Sequence, residues 1–153
     1  MRIIRFSSLM ADDAVRLFYD TVHNVCSADY TPLECMAWAP DDIVPEEWIA
    51  PMLDTYALAA VDDGNLLGFG NIDVEAGYLD RLYVSSSCQG RGIGKTLLLA
   101  LEAKVSGTIH VDVSDTALGF FRHMNYSIVR ENHVERRGVI LRNWKMEKSV
   151  LDS

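Results

Sequence analysis

Apolar side chains recur along the chain with two different periods, and each period predicts its own kind of element. Alternation of apolar with polar or small residues predicts strands. Recurrence every third or fourth residue predicts amphipathic helices. We therefore expect strands over residues 1–6, 55–61, 66–72, 78–84, 108–113, 126–131 and 139–147, and helices over residues 12–25, 32–38, 45–53, 93–105 and 115–124.

The order of these elements predicts an α/β fold with one mixed, mostly antiparallel sheet. Asp62-Asp63-Gly64-Asn65 and Glu75-Ala76-Gly77 are turn sequences, so the second, third and fourth strands should form an antiparallel meander. The later helices cross over between strands, and such connections place helices on the faces of a sheet. No linker or internal repeat divides the chain, so residues 1–153 are expected to form a single domain.

The stretch from Tyr78 to Val105 joins a strand, a glycine-rich loop and a helix. The loop from Ser85 to Gly94 is small and polar, and the apolar stripe of the helix starts at Ile93. A helix N-terminus offers unpaired N–H groups and a positive dipole end, and glycine lets a phosphate approach the backbone closely. The pattern therefore predicts a site for a phosphate-bearing cofactor.

Two common phosphate-binding motifs do not fit this loop. A Walker A loop needs a glycine five positions before Gly94, where this chain has Gln89. A dinucleotide-binding loop starting at Gly90 would need a third glycine at position 95, which is Lys95. Both nucleotide folds are therefore disfavoured.

Composition and charge narrow the class of protein. The formal net charge is −8, whereas nucleic-acid binders usually carry a basic face, so we expect no nucleic-acid partner. The negative charge fits a cationic substrate such as an amine, and it fits simple solubility equally well. No apolar run approaches the roughly 20 residues that span a bilayer, and no signal peptide is evident. Cys26, Cys35 and Cys88 show no paired spacing, which favours reduced thiols and a cytoplasmic location.

The loop also matches a family pattern. Residues 89–94, Gln-Gly-Arg-Gly-Ile-Gly, fit the sequence Gln/Arg-x-x-Gly-x-Gly/Ala, with Leu82-Tyr83-Val84 before it and a leucine-rich helix after it. This resembles motif A of the GNAT superfamily, the GCN5-related N-acetyltransferases, whose order of elements is also similar. Within that superfamily, the segments 28–32 with 37–40, and 111–114 with 120–121 and 134–138, resemble YafP-like acetyltransferases.

The resemblance implies the GNAT-type fold and acetyl-CoA as cofactor. It implies that the loop N–H groups hold the pyrophosphate and that the fourth strand, splayed from the fifth at a bulge, pairs with the pantetheine arm. It also implies that Ser114 stands where the family has a polar contact to pantetheine, and Phe121 where many members have a catalytic tyrosine. The implied cofactor-binding residues are Leu82, Tyr83, Val84, Gln89, Gly90, Arg91, Gly92, Ile93, Gly94, Lys95, Ser114 and Phe121.

The catalytic base is expected on the fourth strand. Tyr78 falls where histone-type relatives have a glutamate, and Asp80 lies two residues on, on the same face. We favour Asp80 as base or amine-binding group, with Tyr78 assisting; a structural salt bridge of Asp80 is the alternative. His23 and His110 have suitable chemistry for a base. Tyr30, Trp38 and His23 are the expected substrate-binding residues, and no metal site is predicted.

Three functions stay open at this point. The first is transfer of an acetyl group to the primary amine of a small molecule by direct attack. The second is a CoA-binding sensor without turnover, since Phe121 lacks an acidic group. The third is acetylation of a protein lysine or N-terminus. A homodimer is conceivable in each case, with the last strand or the Trp38 segment as interface.

Overall fold

Seven strands form one sheet in the computed structural model, which describes residues 1–150. The strands are β1 (Arg2–Arg5), β2 (Tyr56–Asp62), β3 (Asn65–Asp73), β4 (Tyr78–Val84), β5 (Gly107–Ser114), β6 (Ser127–Arg136) and β7 (Val139–Val150). The helices are α1 (Ala11–Asn24), α2 (Pro32–Trp38), α3 (Pro45–Leu53), α4 (Ile93–Glu102) and α5 (Leu118–His123). Every predicted element is present, which confirms the predicted fold class.

The boundaries differ most at the C-terminal hairpin. β6 continues through Glu135 to Arg136, beyond the end expected at Glu131. The turn is tight because Arg137 and Gly138 both take positive φ, at 50° and 78°. A two-residue turn of this kind matches the twist of the flanking strands, so pairing can continue to the turn itself.

The sheet order is β1-β2-β3-β4-β5-β7-β6. All neighbours are antiparallel except β4 and β5. Because β7 lies between β5 and β6, its residues 143–147 are paired on both sides. The described edge strands of the sheet are β1 and β6.

Helices cover both faces of the sheet, and each face has its own apolar core. On one face, the α4 side chains Ile93, Leu97, Leu98 and Leu101 pack with Leu79 and the interior of β5. On the other face, α1, α2 and α3 pack over Phe69 and Tyr83. The Phe18 ring stacks on Trp48 with centroids 4.7 Å apart and meets Tyr83 edge-on.

Two glycines of β3 let α4 lie close to the sheet. A Cβ at Gly68 would come within 3.2 Å of the Leu97 side chain, and one at Gly70 within 3.1 Å of Leu101. Close packing of α4 matters because this helix carries the glycine loop at its N-terminus.

None of the helices within residues 1–150 is long and apolar enough to cross a membrane.

Candidate active site

The sheet opens at its centre, between β4 and β5. These strands pair only through Tyr78 with His110 and Leu79 with Val111. On the other side of β4, Ile72 is the partner of Leu79 and Asn71 is the partner of Arg81, so Asp80 is an extra residue in the strand. Such a bulge bends a strand and increases its twist. The two strands therefore diverge from Asp80 onward and leave a cleft.

β4 turns part of its backbone toward this cleft. The Ser85 N–H donates to the Leu67 carbonyl at 2.8 Å, which shows that the odd-numbered residues bond to β3 here. In an antiparallel pair the alternate residues point the other way, so Leu82 and Val84 present their polar groups to the cleft. The Val84 carbonyl already accepts hydrogen bonds from Thr21 Oγ1 (3.0 Å) and Gln89 Nε2 (2.8 Å). Among residues 1–150, the N–H groups of Leu82 and Val84 and the Leu82 carbonyl have no strand partner and are left for a ligand.

The glycine loop closes one end of the cleft. Gly90 and Gly92 have φ of 77° and 78°, and a Cβ at either would meet no atom within 4 Å. In the part of the chain that the structure describes, the backbone N–H groups of residues 89–95 donate to no protein oxygen. A run of free N–H groups at the start of α4 is a ready anion site.

The cleft has a volume of about 620 Å³, within the usual range of roughly 300–1,000 Å³ for small-ligand sites. Phe120 crosses toward Gly94, with its ring tip 3.5 Å from the place a Cβ would occupy. The predicted cofactor-binding residues that line the cleft are Leu82, Tyr83, Val84, Gln89, Gly90, Gly92, Ile93, Gly94, Lys95, Ser114 and Phe121. A loop of free N–H groups, an open strand edge and a cleft of this size fit a cofactor with a pyrophosphate and a peptide-like arm.

Three side chains of the loop contact the protein itself. Gln89 folds back to the carbonyls of Val84 and Ser85, so its amide braces the loop. Arg91 does not line the cleft, and its Nη1 lies 3.4 Å from the Cys88 sulfur. Cys88 is buried, at 5% exposure.

A second, smaller cavity of about 290 Å³ lies at the bulge, and we name it the acceptor cavity. It shares Trp38, Asp80, Arg81, Tyr83, Asp112 and Ser114 with the cleft, so the two spaces meet at Asp80. Its remaining lining residues are Phe18, Tyr30, Trp48, Tyr78, Val134, Arg136, Leu141, Arg142 and Asn143.

Asp80 is held in place by a hydrogen bond from Asn71, which is itself bonded to Thr55. Its Oδ2 accepts a hydrogen bond from Asn71 Nδ2 at 3.3 Å. The same Asn71 amide donates to Thr55 Oγ1 at 3.0 Å, and Asn71 is fully buried. The Asp80 side chain keeps 36% of its surface exposed, and Arg81 Nε lies 4.0 Å from Oδ2. This carboxylate is therefore fixed in position and still accessible to a ligand.

Tyr78 lies beside Asp80 and faces Asp112. Its hydroxyl donates to Asp112 Oδ2 at 3.0 Å. Burial and then the negative charge of Asp112 raise the pKa of Tyr78, so its hydroxyl is protonated at neutral pH. Tyr78 can orient a ligand or donate a proton, but it cannot act as a base. The other oxygen of Asp112 has only Lys145 near it, at 3.7 Å, and no hydrogen bond within residues 1–150.

The predicted substrate-binding residues divide into two groups. Tyr30 and Trp38 line the acceptor cavity, while His23 lines neither cavity. His23 instead places Nε2 at 2.8 Å from the Ala39 carbonyl and its ring against Tyr19, with centroids 4.1 Å apart. The structure thus places His23 as a brace between α1 and the end of α2.

Tyr30 is a buried anchor as well as a cavity wall. Its hydroxyl donates to the Arg142 carbonyl at 2.7 Å and accepts from the Asp115 N–H at 2.8 Å. Burial raises its pKa to about 12. This single hydroxyl ties the segment before α2 to β7 and to the turn before α5.

Position 121 carries no group that could supply a proton. Phe121 is 5% exposed and packs edge-on against Phe120 and Tyr126. Ser114 accepts the Ala117 N–H at 3.2 Å and keeps its own hydroxyl hydrogen for a ligand. His110, the other candidate base, lies 3.7 Å from Glu147 and outside both cavities.

A family comparison agrees with this geometry. The sequence-family model of the acetyltransferase (GNAT) domain matches residues 26–149 of this chain. The chain belongs to the GNAT acetyltransferase family. The match contains the glycine loop and every residue lining the cleft and the acceptor cavity except Phe18, Thr21 and Val25, which precede it.

Solved GNAT structures share the whole fold. A GCN5-related N-acetyltransferase from Rhodopseudomonas palustris, described as a class-II aminotransferase, superposes with a TM-score of 0.91 at 27% identity, over 97% of this chain and 95% of that one. The PaiA N-acetyltransferase of Thermoplasma acidophilum, solved with coenzyme A, gives 0.72 at 20% identity over 97% and 98%. The phosphinothricin acetyltransferase of Sinorhizobium meliloti, solved with acetyl-CoA, gives 0.73 at 13% identity over 98% and 88%. No curated protein sequence matches this chain.

Several residues at the GNAT site were not predicted from the sequence. Asn71 and Asp112 reach the site from β3 and β5, and Arg136 and Asn143 reach it from the C-terminal hairpin. One signal was present: a polar asparagine inside the apolar strand pattern of β3 implies a buried hydrogen bond. Asp112, Arg136 and Asn143 could not be predicted, because their positions at the site depend on how β5, β6 and β7 pair.

Proposed function

We propose that this protein is an acetyl-CoA-dependent N-acetyltransferase that acts on the primary amine of a small molecule. The observation that carries the proposal is the meeting of two cavities at Asp80, one suited to the cofactor and one lined by polar groups. The volume of about 290 Å³ favours a small acceptor over a protein segment.

The cofactor would be held along the cleft by groups of this chain. The N–H groups of residues 89–95 face the pyrophosphate, with Lys95 adding charge. The N–H groups of Leu82 and Val84 and the Leu82 carbonyl pair with the amides of the arm, as an added strand would. When bound, acetyl-CoA supplies a thioester carbonyl carbon that an amine can attack.

Asp80 is our candidate for the group that receives the proton of the acceptor amine. An ammonium ion cannot attack, so a base must remove a proton before the new N–C bond forms and the C–S bond breaks. Asp80 fits because it is fixed by Asn71 and open to the acceptor cavity. Tyr78, protonated and adjacent, orients the amine or a bridging water.

Phe121 does not exclude this reaction. The leaving thiolate resembles a cysteine thiolate, with a pKa of about 8.5, so it can depart without a strong acid beside it. Phe121 does, however, motivate the second candidate function, a CoA-binding sensor without turnover.

One experiment separates these functions. Calorimetry measures acetyl-CoA binding, and an assay of CoA release measures turnover over a panel of primary amines. We expect binding and turnover, with Asp80→Asn lowering kcat by about 10²-fold or more, in the range typical of a general base. Asp63→Asn, in the exposed β2–β3 turn, is the matched control and should keep full activity. Binding without turnover would contradict the small-molecule acetyltransferase and leave the sensor and protein acetylation, and no binding would contradict all three.

The proposal includes two finer assignments, the subfamily and the location. The sequences of residues 28–32 and 37–40 support membership of the YafP-like group. In the first of these segments, Thr31 caps α2 in a reciprocal pair with Glu34. The free thiols Cys26, Cys35 and Cys88, all buried, support a reducing cytoplasm.

A further inference from the structure

The acceptor cavity carries charges of both signs, and they are not equivalent. Asp80 and Asp112 lie at the bulge, and three arginines line the cavity as well. An acceptor that was only a cation would meet the carboxylates and also the arginines, which would repel it. The state of each arginine therefore decides what the cavity can bind.

Two of the arginines already have partners. Arg81 lies over the Trp48 ring at 4.0 Å and donates from Nη1 to the Trp48 carbonyl at 2.6 Å. Arg142 donates to both oxygens of Asp115, at 3.2 Å and 2.8 Å, and lies 3.6 Å from Glu131. Their charges are compensated or fixed in place by the protein itself.

Arg136 differs from both. Within residues 1–150 its guanidinium has no carboxylate within 4.0 Å, and its hydrogen bond goes to the carbonyl of its neighbour Glu135 at 3.2 Å. It is exposed, at the end of β6, and it lines the acceptor cavity together with Tyr78. A guanidinium at the rim of a ligand cavity, with free donors in a fork, suits a carboxylate, which it binds through two parallel hydrogen bonds.

The same cavity also has spare acceptors. Asp112 Oδ1 and Asn143 Oδ1 are buried and have no hydrogen-bond partner in the described part of the chain, although Lys145 Nζ lies 3.7 Å from Asp112 Oδ1. Asp80 is anchored through one oxygen and remains accessible. Buried acceptors without partners are unfavourable, and an ammonium group, with three donors, can supply the missing hydrogen bonds.

We propose that the acceptor is a small zwitterion, an amine that also carries a carboxylate, as an amino acid does. Its amine lies at Asp80 and Asp112, and its carboxylate lies on Arg136. The proposal rests on the acetyltransferase function above and names the class of its acceptor. Polyamines are disfavoured because they would place a second cation beside Arg136.

The test compares matched acceptors. Transfer of the acetyl group from acetyl-CoA is followed by the release of CoA, first with L-amino acids and then with the corresponding amino-acid carboxamides. The carboxamides keep the side chain and the amine but lose the negative charge. The amine of a carboxamide is less basic than that of the amino acid, so a larger fraction of it is deprotonated at neutral pH. Without a contact to the carboxylate, the carboxamide should therefore react faster. We expect kcat/KM for the amino acid to exceed that of its carboxamide by about tenfold or more, which corresponds to about 1.4 kcal/mol.

Variants assign the preference to one residue. Arg136→Gln should raise KM for the amino acid and remove its advantage over the carboxamide. Arg130→Gln, on the same strand, exposed and outside both cavities, should keep that advantage. Circular dichroism confirms that both variants are folded.

Each outcome has a distinct meaning. Turnover of amines with no advantage for the carboxylate, or an advantage that survives Arg136→Gln, overturns the zwitterion proposal and leaves the acetyltransferase function standing. Acetyl-CoA bound with no turnover of any panel member overturns both.

Discussion

At the scale of single residues, one extra position in a strand creates the site. Asp80 has no partner in the register of β3 and β4, and the strands β4 and β5 part where it stands. The same position carries the carboxylate that meets both cavities. Asn71 fixes its direction from the neighbouring strand, so we regard Asn71 as a positioning residue.

Asn71→Asp should shift the pH dependence of the reaction. The substitution places a second carboxylate at hydrogen-bond distance from Asp80, in a fully buried position. Two adjacent carboxylates disfavour the state in which both are ionised, so the apparent pKa of the pair rises. The ionised base then appears only at higher pH, and the acid limb of kcat/KM against pH should move upward by about one unit or more.

Asn65→Asp provides the control for this profile. Asn65 lies exposed at the start of β3, outside both cavities, and its substitution adds the same charge to the protein. The acid limb of this variant should coincide with that of the unaltered protein. An unmoved limb in Asn71→Asp would show that Asp80 does not control the rate.

Residue chemistry was predictable where it depends on local sequence. Asp80 and Tyr78 could be named because they share a strand and a face. Asp112 could not, since its role depends on the pairing of β4 with β5, which are far apart in the chain. His23 was expected to bind substrate, but its side chain bonds to the Ala39 carbonyl, a partner that no helical pattern reveals.

At the scale of elements, the strand β4, the loop after it and the start of α4 at Ile93 were predicted correctly. The loop is short and its glycines are closely spaced, so local backbone preference decides its shape. The strands of the C-terminal hairpin were predicted too short, because polar residues such as Glu131 and Glu135 lie on an exposed edge strand and weaken the alternating pattern.

Gly92→Ala should weaken acetyl-CoA binding in addition to lowering stability. Gly92 has a φ of 78° with open space around it, so alanine costs about 1–2 kcal/mol in backbone energy alone. The added methyl group also projects into open space beside the loop N–H groups proposed to hold the pyrophosphate. We expect the Kd from calorimetry to rise about tenfold or more, for a loss of about 1.4 kcal/mol.

Gly138→Ala is a closely matched control. Gly138 also has a φ of 78°, and a Cβ there would meet no atom within 4 Å, but this glycine lies in the β6–β7 turn. Both variants should lose similar stability, while only Gly92→Ala should lose affinity. Equal affinities would contradict a phosphate site in the loop.

At the scale of the whole molecule, the sheet is held together weakly at its centre and strongly on either side of it. β4 and β5 share two residue pairs, whereas β5 and β7 share eight. Contacts outside the sheet compensate for this: Tyr30 joins the two halves, Thr116 bonds to Asp29 at 2.8 Å, and Arg137 pairs with Asp42.

Tyr30→Phe should lower the free energy of unfolding by about 1–3 kcal/mol. The change keeps the ring but leaves the Arg142 carbonyl and the Asp115 N–H without their partner. Urea denaturation measures the effect as a lower midpoint at constant slope. Tyr19→Phe is the control, because its hydroxyl bonds to Asp41 at an exposed site and should contribute little. Equal midpoints for the two variants would show that the Tyr30 bridge does not hold the halves together.

The alternating direction of the β4 backbone makes this strand a reporter of ligand binding. The amides of Leu82 and Val84 face the cleft without a partner among residues 1–150, whereas that of Ser85 is bonded to Leu67. In deuterated water the first two should exchange rapidly in the ligand-free protein and the third slowly. Saturation with acetyl-CoA should slow Leu82 and Val84 while leaving Ser85 almost unchanged, so isotope uptake at neighbouring amides would trace the cofactor arm along the strand.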